Sequence, residues 1–323
     1  MFGKSKKADK SLMKTPIEIK KDMDEYVIGQ HKAKKFLSVA GYNHFKRLQN
    51  PDIKKSNVLL VGPTGCGKTY LVSVLADILK VNFIVADATQ FTSSGFQGRG
   101  VEELISELVD CCDGDEELAS KSIIYIDEVD KIRKKTSSGN TPDVNGREVQ
   151  QALLKLLEGG DISYVSKNST NGEYDKKMNT KDILFICSGA FVGMPNIKID
   201  SLVNFGMIPE FLGRFSIITE LQELTHSDLV EILKDSKGSI LNSFRSWFKS
   251  EGIDFEIEES AIQLIASRAI SKKLGARGLH GVLDEILLTA QYEIPSLEKK
   301  PTKFTLTGDM VLTNKINWNI EDD

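Results

Sequence analysis

One glycine-rich run has both the residue types and the spacing needed to hold phosphate groups. It consists of Gly62, Pro63, Thr64, Gly65, Cys66, Gly67, Lys68 and Thr69. The run fits the pattern G-x-x-x-x-G-K-[ST] and lies between a predicted strand and a predicted helix, which is the context the pattern requires. Its glycines let backbone N–H groups turn toward phosphates, Lys68 can reach the β- and γ-phosphates, and the Thr69 hydroxyl can ligate Mg²⁺. We therefore predict an ATP site with Mg²⁺ as its metal, and include Tyr70, the next residue, in the binding set.

A second chemical signature is a pair of adjacent carboxylates, Asp127 and Glu128, directly after the apolar run Ile123–Ile126. Ligands of open α/β sheets bind at the carboxyl ends of strands. Asp127 is predicted to hold Mg²⁺ through its hydration shell, and Glu128 to act as general base on the attacking water. Such a pair is also found at ordinary solvated strand ends, but the upstream phosphate-binding run favours the functional interpretation. The glutamate favours hydrolysis over nucleotide storage.

These groups must be positioned by strands that alternate with helices. Continuous apolar runs, typical of strands buried on both faces, predict strands at Val58–Val61, Val81–Ala86, Ile123–Ile126 and Ile183–Cys187. Apolar residues at helical spacing follow Val101, and a helix over Val149–Leu157 is ended by Gly159. The pattern predicts an α/β fold with a parallel sheet sandwiched by helices.

Composition changes after about residue 222, where a capping box at Thr225 and Asp228 opens a helical region. We predict helices at about 259–271 and 277–293, and short strands at Asp254–Ile257 and Lys303–Leu306 that pair. Residues 160–181 are predicted to form a long surface loop or hairpin. The predicted organisation is a mobile basic tail (1–14), a large nucleotide-binding domain (15–222), a small mainly helical α+β lid domain (223–311) and a C-terminal tail (312–323).

The bulk composition argues against several classes of protein. The 323 residues carry a net charge of −4, which argues against a dedicated nucleic-acid binder. The chain has neither a long apolar run nor a signal-peptide pattern, so a membrane protein is not expected and the cytoplasm is the expected location. The cysteines form no C-x-x-C pair, so zinc is not expected, and we predict Cys111, Cys112 and Cys187 to be buried free thiols.

Five longer stretches carry a family resemblance. They are Tyr-Val-Ile-Gly-Gln at 26–30, Tyr-Ile-Asp-Glu-Val-Asp-Lys at 125–131, Val-Gln-Gln-Ala-Leu-Leu-Lys at 149–155, Phe-Gly-Met-Ile-Pro-Glu-Phe-Leu-Gly-Arg at 205–214 and Leu-Gly-Ala-Arg-Gly-Leu at 274–279. Together with the glycine-rich run, they resemble the ClpX unfoldases, a family of AAA+ ATPases, from about residue 15 to 300.

The resemblance implies a homohexameric ring that hydrolyses ATP and acts on protein substrates. By the same resemblance Val27 and Ile28 seat the adenine, and Ser188 lies near the position of a sensor-1 residue. Arg214 matches the arginine finger supplied to the neighbouring subunit's nucleotide. Arg277 matches the sensor-2 arginine, which acts on its own subunit's nucleotide.

Gly95, Phe96, Gln97 and Gly98 align with the pore loop that grips polypeptide in this family. The flanking glycines suit a hinged loop with an exposed aromatic side chain, although Phe96 could instead anchor the loop on the core. The segment Thr141–Gly146 resembles the second pore loop.

Three departures from the family concern attachments rather than the motor. A basic tail stands where the family has a four-cysteine zinc domain. The connection 192–204 is short and lacks the Ile-Gly-Phe tripeptide that docks on the ClpP peptidase. Residues 160–181 replace an Arg-Lys-His loop and offer Lys167, Lys176 and Lys177. These departures argue against ClpP as partner and favour a stand-alone remodeller or a motor with another partner.

Three alternatives remain open at this point. One is a nucleic-acid motor or loader, which Arg99 and the basic tail support and which the aromatic, lysine-poor pore loop disfavours. A second is the unfoldase subunit of an ATP-dependent protease. A third is a nucleotide-dependent scaffold that barely hydrolyses, against which Glu128, Arg214 and Arg277 argue.

Overall fold

The computed structural model describes residues 13–91, 100–134, 144–165, 176–234, 237–297, 299–316 and 318. Its helices are α1 (Pro16–Asp24), α2 (His31–Gln49), α3 (Lys68–Leu79), α4 (Val101–Cys111), α5 (Glu116–Ser120), α6 (Val144–Glu158), α7 (Ile199–Phe205), α8 (Pro209–Leu212), α9 (His226–Lys234), α10 (Leu241–Ser250), α11 (Glu259–Ser271), α12 (Ala276–Glu293) and α13 (Gly308–Thr313). Its strands are β1 (Val58–Val61), β2 (Phe83–Asp87), β3 (Ile123–Asp127), β4 (Asp161–Tyr164), β5 (Lys176–Asn179), β6 (Leu184–Gly189), β7 (Ile217–Glu220), β8 (Asp254–Ile257) and β9 (Lys303–Leu306).

The chain divides into two compact units. The large unit contains the described residues of 13–23, 30–63 and 68–222, and the small unit those of 24–29, 64–67 and 223–318. Each unit has its own apolar core.

The large unit is built on a five-stranded sheet in the order β2-β3-β6-β1-β7, in which every neighbouring pair is parallel. The central strands β1 and β6 are buried at every residue, because helices cover both faces of the sheet. The predicted parallel α/β sheet is confirmed. The edge strand β7 was not predicted, and it pairs with β1 in the register Val58↔Ile217.

The small unit packs five helices, α9 to α13, against one short pair of strands. The predicted pairing of β8 with β9 is confirmed, and the two strands are parallel. The Phe248 ring stacks on the Phe255 ring, with centroids 4.7 Å apart, and on the Phe304 ring, with centroids 5.3 Å apart. These contacts pack α10 against the strand pair.

The region 160–181 contains an antiparallel pair, β4 with β5, so its described part forms a hairpin as predicted; residues 166–175 lie outside the described chain. The prediction for Cys111 was wrong, because Cys111 is exposed while Cys112 is buried. The buried face of α4 continues from Leu108 to Cys112, four residues later, and leaves Cys111 on the outside. No helix in the described part of the chain is long and apolar enough to cross a bilayer.

Candidate active site

The glycine-rich run leaves the carboxyl end of β1 and enters α3 at Lys68. The Gly62 N–H donates to the Gly189 carbonyl at 3.1 Å, which fixes the start of the loop beside β6. Gly65 and Gly67 have φ values of +80° and +90°, in the left-handed region that glycine adopts without a steric cost. A Cβ at Gly67 would meet no atom within 4 Å, so glycine is needed there for its backbone and not for space.

Lys68 is a buried cation, with 9% of its surface exposed. Its Nζ donates to the carbonyl oxygens of Gly62 at 2.8 Å and Pro63 at 3.0 Å. Within the described ranges no carboxylate pairs with it. A buried ammonium without a counter-charge is costly, and an anion such as a polyphosphate would relieve that cost. The N-terminus of the twelve-residue helix α3 adds positive potential at the same place.

Asp127 ends β3 beside the first turn of α3. Its Oδ2 accepts a hydrogen bond from Thr69 Oγ1 at 3.3 Å, and its Oδ1 accepts one from the Glu128 N–H at 2.9 Å. A hydroxyl and a carboxylate at this separation are the hard oxygen ligands that Mg²⁺ takes. Among the described residues there is no group of three or more His, Cys, Asp or Glu side chains suited to a metal ion. Mg²⁺ in nucleotide sites needs none, because waters and phosphates fill most of its coordination shell.

Glu128 follows immediately and is exposed, so its carboxylate is open to water. Its φ of +58° places a residue with a Cβ in the left-handed region. That conformation costs about 1–2 kcal/mol relative to the right-handed one. The chain therefore stores strain at the residue predicted to act as general base.

Two hydroxyl groups of this site were not identified as a pair from the sequence. Tyr125 and Ser188 are both fully buried, and their oxygens lie 2.7 Å apart. Ser188 Oγ also donates to Asp127 Oδ1, and Tyr125 Oη lies 3.3 Å from Thr69 Oγ1. Burial, together with the nearby Asp127 carboxylate, raises the pKa of the Tyr125 phenol well above its ordinary value, so the group is a neutral hydroxyl. Tyr125 stands two residues before Asp127, a spacing that puts both on one face of a strand and could have pointed to it.

Arg214 follows α8 and lies three residues before β7. Its guanidinium donates to Glu158 Oε1 at the end of α6, and both side chains are nearly half exposed. Its carbonyl accepts from Asn57 Nδ2 at 3.3 Å, directly before β1. Arg214 is thus held at the amino ends of β1 and β7, whereas Lys68 follows the carboxyl end of β1.

The small unit contains the remaining predicted nucleotide contacts. It includes Val27, Ile28 and the loop residues Thr64, Gly65, Cys66 and Gly67, as well as Arg277 in the first turn of α12. The Ala276 N–H donates to the Gly65 carbonyl at 3.0 Å. Arg277 is exposed, and its guanidinium has no ion-pair partner among the described residues. Tyr70 in the large unit is 42% exposed beside the loop.

The predicted pore loop, Gly95, Phe96, Gln97 and Gly98, lies outside the described residues. The second predicted loop, Thr141–Gly146, is described only in part. Its end is helical rather than looped, because α6 begins at Val144, five residues before the predicted start of that helix.

Two families match this chain. The family described as "AAA domain (Cdc48 subfamily)" matches residues 53–218, and the one described as "C-terminal, D2-small domain, of ClpB protein" matches residues 224–301. The first match runs from before β1 to the second residue of β7, with the glycine-rich loop and the Asp127–Glu128 pair inside it.

Curated relatives are similar over nearly the whole chain. The "ATP-dependent Clp protease ATP-binding subunit ClpX" of Borrelia duttonii (strain Ly) is 40% identical over 98% of this chain and 82% of its own length. The corresponding "ClpX 2" of Wolinella succinogenes is 40% identical over 97% of this chain and 85% of its own length. That of Treponema denticola is 41% identical over 88% of this chain and 78% of its own length. With this extent of similarity, and with the AAA sheet and its phosphate-binding loop in place, the chain belongs to the ClpX family of AAA+ ATPases.

Proposed function

We propose that this chain is the subunit of an ATP-driven protein unfoldase that assembles as a ring, and the family resemblance implies that the ring is a hexamer. The observation that carries the ATPase part is the meeting of three groups at the carboxyl edge of one sheet. Lys68 supplies a buried cation without a carboxylate partner in the described chain, and the Thr69 hydroxyl lies 3.3 Å from the Asp127 carboxylate. This is a set of groups that suits a nucleoside triphosphate with its metal.

The residues divide the chemistry among them. ATP would be held by Gly62–Thr69 and Tyr70, and the family resemblance assigns its adenine to Val27 and Ile28. Mg²⁺ would be held by Thr69 and Asp127, where it would neutralise charge on the phosphates. Lys68 would stabilise the β/γ-phosphates. Glu128 would take a proton from the water that attacks the γ-phosphate, and its exposed carboxylate is open to that water.

The placement of Arg214 supports its role as a finger for a neighbouring subunit. β1 and β7 are parallel, with Val58 opposite Ile217. Arg214 precedes the amino ends of both strands, and Lys68 follows the carboxyl end of β1. The length of a four-residue strand, about 13 Å, therefore separates the two residues along the strand direction. The guanidinium is paired with Glu158, at the end of α6, and is nearly half exposed. An arginine so placed would complete a nucleotide site on another copy of the chain, and hydrolysis would then depend on assembly.

In the assembled ring, Phe96 would contact polypeptide and Arg277 would act on the nucleotide of its own subunit. Both assignments rest on the family resemblance. The proposed clients are proteins, because a Phe between glycines suits non-specific contact with an unfolded chain.

The decisive experiment measures what the ATP-bound state holds. Glu128→Gln should bind ATP without hydrolysing it. Fluorescence anisotropy would then be recorded with a labelled unfolded polypeptide and, separately, with a labelled single-stranded oligonucleotide. The unfoldase assignment expects ATP-dependent binding of the polypeptide that is lost in Glu128→Gln/Phe96→Ala. Binding of the oligonucleotide alone, unaffected by Phe96→Ala, would instead establish a nucleic-acid motor. Continued phosphate release by Glu128→Gln would overturn the assignment of the base.

A second candidate is the unfoldase subunit of an ATP-dependent protease, because the relatives carry the printed name of ATP-binding subunits of Clp protease. The connection 192–204 argues against this candidate, because it lacks the Ile-Gly-Phe tripeptide and contains most of α7. Co-sedimentation of the ATP-bound Glu128→Gln protein with a ClpP-type peptidase separates the two candidates. Association would support the protease, and its absence would leave the stand-alone remodeller.

A further inference from the structure

Four hydrogen-bonding side chains form a closed circuit that includes the two candidate metal ligands, Thr69 and Asp127. The other two are Tyr125 and Ser188, and we call the four residues the hydroxyl circuit. They come from three elements, α3, β3 and β6. The contacts run from Thr69 to Asp127 (3.3 Å), from Asp127 to Ser188, from Ser188 to Tyr125 (2.7 Å) and from Tyr125 back to Thr69 (3.3 Å). We propose that Tyr125 and Ser188 are positioning residues for Mg²⁺, which fix the rotamers of Thr69 and Asp127 and select the carboxylate oxygen that faces the metal. This inference rests on the proposed ATPase function.

The hydrogen-bond count identifies that oxygen. Asp127 Oδ1 accepts from both the Ser188 hydroxyl and the Glu128 N–H, which occupies its two lone pairs. Within the circuit's four contacts Oδ2 accepts one hydrogen bond, from Thr69 Oγ1, and so retains one lone pair. The circuit therefore leaves Oδ2, next to Thr69 Oγ1, as the oxygen able to face a cation or a water of its shell.

The number of hydroxyl protons in the circuit indicates what Tyr125 does. Ser188 gives its single proton to Asp127, so its oxygen can only accept from Tyr125. A phenylalanine at 125 would leave the buried Ser188 oxygen without that donor, and Ser188 could then turn away from Asp127. The phenol also offers Thr69 a second acceptor, which keeps the Thr69 oxygen in place whichever partner takes its proton.

Burial gives the circuit its rigidity. Tyr125 and Ser188 are fully buried, so neither hydroxyl can exchange its partner for bulk water. Groups that orient metal ligands in this way typically change metal affinity by 10–100-fold when they are removed.

The test measures metal-dependent nucleotide binding, not turnover. A fluorescent ATP analogue would be titrated with Mg²⁺ and with EDTA against wild type, Tyr125→Phe and Ser188→Ala. Two matched controls remove buried hydroxyls outside the circuit. Tyr164→Phe loses a bond to Glu116, and Ser122→Ala loses one to Leu118.

We expect Tyr125→Phe and Ser188→Ala to raise the Mg²⁺ concentration for half-maximal binding by about tenfold, with affinity in EDTA unchanged. Both control variants should behave as wild type. Because the two side chains act through one circuit, the double variant should lose less than the sum of the single losses. The same measurements with an ADP analogue should show the same shift. A loss confined to ATP would mean that Ser188 contacts the γ-phosphate directly and would overturn the inference.

The inference is also overturned if the variants need no more Mg²⁺ than wild type, or if affinity falls equally in EDTA and Mg²⁺. Either result would leave the proposed ATPase intact, since wild type would still gain nucleotide affinity from Mg²⁺. If wild type itself gains no affinity from Mg²⁺, then the metal assignment fails and this inference fails with it.

Discussion

Arg214, the candidate arginine finger, is paired with Glu158 of its own chain. The guanidinium donates to the Glu158 carboxylate, and the two side chains are 45% and 43% exposed. The pair therefore holds the finger at the surface in a fixed place without burying it. In the proposed ring the guanidinium would have to release or share Glu158 when it contacts a phosphate bound to another subunit.

Replacing Arg214 and Glu158 one at a time should distinguish an effect on ATP turnover from an effect on the free energy of unfolding. Arg214→Ala should lower ATP turnover by about 10³-fold or more, because a finger stabilises charge in the transition state. Nucleotide binding should be little changed. Glu158→Gln should keep at least wild-type turnover, since the guanidinium remains. Phosphate release and analogue binding measure both effects.

For each variant the free energy of unfolding should change by no more than about 1 kcal/mol, because surface ion pairs contribute little. If Glu158→Gln loses as much turnover as Arg214→Ala, then Glu158 orients the finger in the active assembly and does not merely hold it in the free chain.

The strain at Glu128 makes a comparison of two inactive variants informative. Glu128→Ala and Glu128→Gly both remove the carboxylate and should both lose hydrolysis. Only glycine relieves the left-handed φ of +58°. We expect the glycine variant to be more stable than the alanine variant by about 1 kcal/mol in urea unfolding. Equal stabilities would mean that the loop relaxes to another conformation without the glutamate.

Gln150 should be among the most sensitive polar positions of the large unit. Its fully buried amide donates to the carbonyls of Ile132 (2.8 Å) and Gly206 (3.2 Å) and accepts from the Ile208 N–H (2.8 Å). Gln150→Leu would leave these three backbone groups without that partner and should cost about 3 kcal/mol of unfolding free energy. The neighbouring Gln151 is exposed on the same helix, and Gln151→Leu is the matched control, expected to be nearly neutral. A small effect at 150 would show that water replaces the amide.

His44 should make the fold sensitive to acid. Burial lowers the pKa of His44 to about 4, and its Nε2 donates to the Lys121 carbonyl at 2.9 Å. The charged groups facing it are Lys55 and Arg47, which oppose its protonation, and Asp182, which favours it. Between pH 6.5 and 4 the unfolded chain takes up a proton at this histidine that the folded chain refuses. The free energy of unfolding should therefore fall as pH falls through that window, and this group should contribute no pH dependence above it.

The measurement is urea unfolding of wild type and His44→Gln at pH 7 and pH 4.5. The loss on acidification should be smaller in the variant by about 2 kcal/mol, even if the variant is less stable at both pH values. Equal losses would assign the acid sensitivity to other groups.

The sheet was predictable because its central strands are buried on both faces and read as unbroken apolar runs, as in Ile123–Ile126. The edge strand β7 escaped prediction since Ile217–Glu220 has only two apolar residues in sequence, and its pairing with β1 depends on a contact far along the chain. Helix α10 was likewise missed. Its Phe244 and Phe248 form one buried face at helical spacing, which is a short signal in a ten-residue helix.

The groups that carry charge in the site were predictable from motifs, because phosphate binding fixes the order of glycine, lysine and threonine along the chain. The contacts proposed to orient them were not, although the family resemblance had placed Ser188 near the sensor-1 position. Ser188 lies on β6, 61 residues from Asp127, and nothing in the sequence joins the two until the sheet places β6 beside β3. The contacts of Gln150 could not be predicted for the same reason, since its partners, the carbonyls of Ile132 and Gly206, come together only in the folded unit.

The opposite placement of Lys68 and Arg214 along β1 and β7 has a consequence for mixtures of chains. In the proposed ring each subunit would carry two halves of different active sites, so Glu128→Gln and Arg214→Ala would damage different halves. A pair in which the first variant lends its arginine to the second contains one complete site. Two proteins that are each inactive alone should therefore recover hydrolysis when they are mixed, as complementing alleles do.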